Sequence, residues 1–222
     1  LHSKIALSVS AILILVGAVA IFIFEYNNPQ TIDNFSMFDK IQFSLFQSVT
    51  TRTAGFATIP QQNLSNAASV VCLFLMFIGG LPVGTAGGIK TVTIAVLFCS
   101  AFAIIRNKED VNLFHRSIAK EAVNKAVAVV SMSFIIAFLS TVLLAAVTKA
   151  DMLDIIFETV SATATVGLTR NLTGSLNFWG KLVIIVTMYL GRVGPISLFI
   201  ALNSKGNNAN CIKNPVEEIS VG

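Results

Sequence analysis

Two stretches of this 222-residue chain, residues 5–24 and 126–147, hold no charged side chain at all. A helix crossing the ~30 Å hydrocarbon core of a bilayer needs about 20 apolar residues, and each stretch is that long. Two further regions qualify or nearly so. Residues 67–105 are apolar but interrupted by Gly79-Gly80-Leu81-Pro82-Val83-Gly84-Thr85-Ala86-Gly87-Gly88, and residues 182–202 are apolar apart from Arg192, with Pro195 close behind. As one straight helix, 67–105 would measure about 58 Å at ~1.5 Å per residue, nearly twice the core thickness. It must break, and the glycine run with Pro82 is where it can. Composition agrees: 55% of residues are hydrophobic and 12% charged, against about 25% charged in soluble domains. A disordered chain, a collagen-like repeat and a water-soluble enzyme are excluded, which leaves an all-α integral membrane protein. No basic region leads from the start to a cleavage site, so the first span is expected as a membrane helix and not a removed leader.

Cys72, Cys99 and Cys211 are odd in number and the first two lie in apolar runs, which argues against a disulfide framework or a zinc cluster. The net charge of +4 is distributed between apolar runs, so nucleic acid is not the expected partner; membrane lipid is. Orientation follows from the Lys/Arg bias of the loops. Lys4, Arg106, Lys108, Arg116, Lys120, Lys125, Lys205 and Lys213 fall on one side, and only Lys40, Lys149, Arg170 and Lys181 on the other, mixed with Glu25, Asp33, Asp39, Asp151 and Asp154. This places both termini and the central loop in the cytoplasm of a multi-pass protein of the cell membrane.

Residues 38–51 and 153–164 are mildly apolar, rich in Ser and Thr, and reach about halfway through a bilayer as helices. Each ends in a Thr/Ala/Gly-rich stretch with a polar return, the pattern of a re-entrant segment. Non-helical backbone at that depth is tolerated only where protein buries it or a water-filled cavity faces it. The two segments are copies. Phe46-Gln47-Ser48-Val49-Thr50 aligns with Phe157-Glu158-Thr159-Val160-Ser161, Thr53-Ala54-Gly55-Phe56 with Thr165-Val166-Gly167-Leu168, and Met76-Phe77-Ile78-Gly79-Gly80 with Met188-Tyr189-Leu190-Gly191-Arg192. The expected organisation is therefore two span–pore-helix–span repeats in parallel orientation, residues 1–110 and 111–222, the second carrying a cytoplasmic tail.

Neither tetrapeptide holds a carboxylate, histidine or cysteine for acid–base or nucleophilic work. Each offers backbone carbonyls, a Thr hydroxyl and a Gly able to take φ > 0. Carbonyl rings that replace a hydration shell build potassium-selective filters, and Thr165-Val166-Gly167 matches the start of the familiar Thr-Val-Gly-Tyr-Gly run. Short helices ending there would aim C-terminal ends of about −0.5 elementary charge at the membrane middle, which favours a cation. The alternative for either tetrapeptide alone is a tight turn.

Thr50-Thr51-Arg52-Thr53-Ala54-Gly55-Phe56, the run 79–91, Ala164-Thr165-Val166-Gly167-Leu168-Thr169 and Gly191-Arg192-Val193-Gly194-Pro195 together resemble the Ktr/Trk/HKT superfamily of potassium transporters, most closely the membrane subunits of bacterial Ktr systems. The likeness covers essentially the whole chain. It implies potassium uptake through a pore whose subunits resemble those of potassium channels, with re-entrant filter hairpins and no enzymatic activity. Thr53, Ala54, Gly55, Phe56, Thr165, Val166, Gly167 and Leu168 would form filter segments for the potassium ion, with sodium as a candidate coupling or activating ion and no organic cofactor. Members of that superfamily carry four repeats, and these two look like the third and fourth. Either the chain is the C-terminal half of a longer protein or two copies assemble. The resemblance further implies a homodimer of the full-length protein and a cytoplasmic nucleotide-binding regulatory ring (KtrA-like) that binds ATP or ADP, docked on residues 115–125 and 203–222.

A charge at the bilayer centre marks function by default. Arg192, with about ten apolar residues on either side, cannot snorkel out; by resemblance it lies below the filter as part of the gate. The resemblance likewise makes the broken run an intramembrane gating loop, with Gly79, Gly80, Gly84, Thr85, Gly87 and Gly88 as its flexible positions and Lys90 at its far end. Gly80, Gly84 and Gly88 are also spaced for close helix packing. Arg52 is expected behind the filter or facing outward. Glu158 either bonds backbone amides behind its filter or offsets nearby positive charge. An intramembrane protease is disfavoured, since His2 and His115 lie in flanking segments and no Gly-x-Ser-x-Gly occurs. A non-conducting assembly or scaffold subunit and another cation-coupled secondary transporter are the remaining alternatives.

Overall fold

The computed structural model describes residues 2–81, 86–106, 112–113 and 116–194. Its helices are α1 (His2–Glu25), α2 (Met37–Thr50), α3 (Asn66–Phe77), α4 (Thr91–Ile105), α5 (Lys120–Val147), α6 (Met152–Thr163) and α7 (Phe178–Val193). The fold is all-α. Strand pairing among the described residues amounts to a two-residue antiparallel ladder, β1 (Asn112–Leu113) with β2 (Arg116–Ser117), and one parallel bridge between Ile78 and Ile89.

The order of long and short helices follows the hydropathy. The 24 residues of α1 and 28 of α5 reach about 36 and 42 Å, long and apolar enough to cross a membrane. The 14 residues of α2 and 12 of α6 reach about 21 and 18 Å, too short to cross a ~30 Å core. The long apolar region does break: α3 ends at Phe77 and α4 begins at Thr91.

Helix starts are written in local side chains. Ser36 caps α2, accepting the Asp39 amide at 3.3 Å while its own hydroxyl donates to Asp39 Oδ2 at 2.7 Å, and each bond satisfies a polar group near the helix start. Ser65 caps α3 by accepting the Ala68 amide at 3.2 Å, and Asn177 caps α7 by accepting the Gly180 amide at 2.8 Å. Each of these caps follows a short 3-10 turn, Gln61–Asn63 in one case and Thr173–Ser175 in the other. Glu25, fully buried at the end of α1, accepts from the Ser65 amide at 2.9 Å, from Asn28 at 2.8 Å and from the Thr31 hydroxyl at 2.5 Å. Its charge thus sits at the positive end of α3.

Polarity is distributed inside out. Leu7, Ile12, Val19, Phe134, Phe138 and Leu143 are exposed on α1 and α5, whereas Ser44, Gln47, Ser48, Thr159, Ser161 and Thr187 are buried. In water such a surface would aggregate; in lipid it is the low-energy arrangement, with hydroxyls holding helices together. Ser48 donates to the Ile14 carbonyl of α1 at 2.8 Å, Thr159 meets Thr141 of α5 at 2.7 Å, and Thr187 of α7 donates to Ser140 of α5 at 2.8 Å. The main core is shared between the two halves of the chain: Ile59, Leu64, Ala68, Cys72, Leu75 and Met76 pack with Phe157, Ala164, Val166 and Leu168. Accordingly α3 lies on α6, the short helix of the other half.

α7 closes at Val193, within the final span expected over residues 182–202: Gly194 takes φ 84° and its amide returns to the Leu190 carbonyl at 3.3 Å. Glycine in this left-handed conformation ends helices, and a following proline cannot continue one. Arg192 therefore occupies the last turn, where a cation complements the terminal carbonyls. Residues 195–202 of the expected span, and the cytoplasmic tail, lie outside the described residues.

Candidate functional site

The two tetrapeptides follow directly on the C-terminal ends of α2 and α6, and both take the same unusual backbone. Thr53 and Gly55 have φ of 68° and 78°; Thr165 and Gly167 have 55° and 92°. Inverting φ at alternate residues breaks the pattern of an extended strand, in which successive carbonyls point to opposite sides. A threonine with φ > 0 is uncommon and strained, so its recurrence at both copies marks a conformation imposed by the surroundings. Hydroxyls at the ends of the helices impose it. The Thr50 hydroxyl donates to the Phe56 carbonyl at 2.6 Å and accepts the Phe56 amide at 2.8 Å, while Ser161 accepts the Gly167 amide at 3.2 Å. Thr50 and Ser161 are the residues the internal alignment pairs.

The two stretches lie against one another. A Cβ built on Gly55 would fall 2.2 Å from the Val166 carbonyl oxygen and 3.8 Å from the Gly167 Cα. The second stretch is backed by the other half, Val166 and Leu168 being buried in the shared core, whereas Ala54 and Phe56 are exposed.

Beneath them sit both limbs of the α3–α4 break. Its base is closed by two backbone bonds, the Ile89 amide to the Phe77 carbonyl and the Thr91 amide to the Gly80 carbonyl, each 3.2 Å. Glycine is required where the limbs touch: a Cβ on Gly79 would fall 2.0 Å from the Gly87 carbonyl oxygen, and one on Gly87 would fall 2.1 Å from the Thr165 hydroxyl. Gly80 lies close to Thr53, and Gly88, with φ 66°, close to Ala164. Lys90 donates back to the Ala86 carbonyl and lies within electrostatic reach of Arg192. Gly79, Gly80, Gly87, Gly88, Lys90 and Arg192 are thus gathered around the two stretches, while Gly84 and Thr85 lie outside the described residues.

Arg192 and Glu158 line one cavity of about 370 Å³ alongside the second stretch, together with Thr165, Val166, Gly167 and Thr169. Beside either role expected for it, Glu158 has two hydroxyl partners. It accepts the Thr169 hydroxyl at 2.6 Å and that of Thr173, bracing the return that follows its tetrapeptide. Gln47, its counterpart in the internal alignment, does the same with a neutral pair: its amide and that of Gln61 exchange bonds of 2.6 and 3.1 Å. Arg52 turns behind its tetrapeptide, donating to the Gly79 carbonyl at 3.1 Å and the Ser10 carbonyl at 3.5 Å.

Sequence reasoning missed Arg170, which it counted only as an outer-face charge. Arg170 ion-pairs with Asp154 at 2.6 Å, donates to Ser69, and reaches the Gln61, Gln62 and Leu64 carbonyls of the other half at 3.2, 3.3 and 3.4 Å. It ties the returns of the two hairpins together, and no local pattern foretells contacts that cross half the chain. No group of three or more metal-ligating side chains occurs among the described residues.

Helices that are apolar outside and polar within, packed around two paired irregular stretches, are those of an integral membrane protein. The TrkH model, described as a cation transport protein, matches residues 4–210, and the chain belongs to that family. It is 40% identical over 222 residues to "Ktr system potassium uptake protein B" of Bacillus subtilis, covering 100% of this chain and 49% of that protein. It is 37% identical over 227 residues to "Potassium/sodium uptake protein NtpJ" of Enterococcus hirae, covering 100% of this chain and 50% of that one. The crystal structure of the potassium transporter TrkH from Vibrio parahaemolyticus superimposes with a TM-score of 0.76 at 22% identity, over 90% of this chain and 45% of that one, which establishes a common fold. The chain spans about half the length of the curated relatives it matches. The family is one of transporters, not enzymes.

Proposed function

We propose that this chain supplies two sides of a potassium-selective pore that mediates potassium uptake. The observation that carries the reading is the pairing of two stretches with alternate positive φ, Gly55 against Val166, directly at the C-terminal ends of two half-depth helices. Carbonyls turned to one side stand in for the water lost by a dehydrating K⁺, and each helix end adds about −0.5 elementary charge without any acidic side chain. In this reading residues 53–56 and 165–168 are the filter segments. Residues 1–110 and 111–222 are the two repeats that present them. Two sides cannot enclose an ion, so two further units, from the same polypeptide or a second copy, close the ring; relatives about twice as long support this.

The limbs of the α3–α4 break beneath the filter, with Lys90 and Arg192 beside them, form the gate. Sodium is a candidate coupling ion; that the Enterococcus relative is named a potassium/sodium uptake protein supports a place for sodium in the transport. The Ktr-system name of the Bacillus relative supports a complex with further components; in this reading those are a nucleotide-binding regulatory ring on the cytoplasmic face and a second copy of the full-length protein. Rubidium uptake is the test, measured in potassium-starved cells that lack their own uptake systems and produce the natural polypeptide. Saturable uptake inhibited more strongly by K⁺ than by Na⁺ is expected. Correctly inserted protein without uptake would instead assign a non-conducting assembly role.

A further inference from the structure

Arg52 has no part in lining the filter, yet it is a charge just past the end of a short helix of a membrane protein and must be compensated. The carbonyls around the α3–α4 break show how. Phe77 and Gly80, where the helical ladder has ended, receive the amides of Ile89 and Thr91. Gly79, between them, receives the Arg52 guanidinium at 3.1 Å. The Arg52 amide itself still bonds the Val49 carbonyl in the last turn of α2. The guanidinium therefore leaves the negative end of α2 and binds at the negative end of α3. The carbonyl end of α3, about −0.5 elementary charge, is thus met by a cation. The same short segment touches the break a second time, since a Cβ on Gly80 would fall 3.8 Å from the Thr53 hydroxyl and 4.0 Å from the Arg52 carbonyl oxygen.

We infer that Arg52 is a positioning residue that couples filter to gate, holding the first limb of the gating loop against the first filter segment in the closed arrangement. The inference rests on the reading of the α3–α4 break as a gate. Mechanically, Gly79 is the point at which the first limb leaves α3, and Arg52 immediately precedes Thr53 of the filter. Motion of the limb away from the hairpins breaks the Arg52–Gly79 bond, and displacement of Thr53 pulls on the same bond. The internal alignment sets Ala164 opposite Arg52 and Arg192 opposite Gly80.

The test is a cycle of variants in the natural polypeptide, read as rubidium flux per inserted molecule: Arg52→Gln, shortening of the run between Leu81 and Gly87, and both together. Loss of one charge-assisted bond from the closed state alone raises flux about tenfold in the intact chain. It adds nothing once the loop is shortened, because both changes remove the same restraint. If Arg52→Gln leaves flux unchanged in the intact chain, or multiplies it equally in both backgrounds, the coupling is refuted while the gate stands. If shortening the loop leaves flux unchanged, the gate reading itself fails. Should Arg52→Gln not insert, Arg52→Lys, which keeps the charge but not the forked donor, is carried through the same cycle with the same outcomes.

Discussion

Gly55 and Gly167 occupy equivalent positions in the two hairpins, yet alanine at each should have unequal effects. Both residues have positive φ, 78° and 92°, and an L side chain there costs about 1–2 kcal/mol. Beyond that their surroundings differ. Nothing lies within 4 Å of a Cβ on Gly167, whereas one on Gly55 would sit 2.2 Å from the Val166 carbonyl oxygen. Carbon–oxygen contacts of this kind settle near ~3.3 Å, so the Val166 carbonyl, a proposed ion ligand, must retreat by about 1 Å. Overpacking of this sort adds about 1–3 kcal/mol. With tenfold in an equilibrium per 1.4 kcal/mol, Gly55→Ala is expected to cut the preference for K⁺ over Na⁺ by about tenfold or more. Gly167→Ala should change it by less than that while lowering stability slightly. The assay is rubidium uptake in potassium-starved cells, competed by K⁺ and by Na⁺ and normalised to inserted protein. Equal losses in the two variants, or a larger loss at Gly167, would refute the reasoning, because the shared φ and not the Val166 contact would then set the effect.

Two further predictions concern the braces around the hairpins. Arg170→Gln removes an ion pair and carbonyl contacts that join the two halves, and should destabilise the solubilised protein by about 3–5 kcal/mol, seen as a lower melting temperature; Asp154→Asn, which keeps an acceptor for Arg170 and leaves its other bonds in place, should cost less. An unchanged melting temperature for Arg170→Gln would mean the clamp carries no weight. Glu158→Gln copies the neutral arrangement of Gln47, so the protein should insert normally, but the half-saturating K⁺ concentration for uptake should rise several-fold as a negative charge beside the filter is lost. Unaltered half-saturation would limit Glu158 to bracing Thr169 and Thr173.

Much of the architecture is legible because lipid simplifies the code. Charge-free runs of bilayer length become α1 and α5, the half-length Ser/Thr-rich segments become α2 and α6, and an apolar region too long to span once breaks at its glycines. The internal alignment also carried local detail: it paired Thr50 with Ser161 and Gln47 with Glu158, and in both halves these residues tether or brace the hairpin. Two features escaped for physical reasons. The close of α7 at Val193 is set by Gly194 through a positive-φ backbone conformation that hydropathy, which runs on past it, does not sense. Arg170 looked like a solvated outer charge, since its carbonyl partners belong to the other half and carry no side-chain signature.

The placement of α3 on α6 has a bearing on how the molecule is made. The wall against which the second hairpin rests is contributed by the first half, which leaves the ribosome earlier. The later hairpin thus arrives at a surface already waiting in the bilayer. A lesion in α3 that spares its own hairpin would therefore surface as a defect in its neighbour's, and cotranslational cross-linking would register it there first.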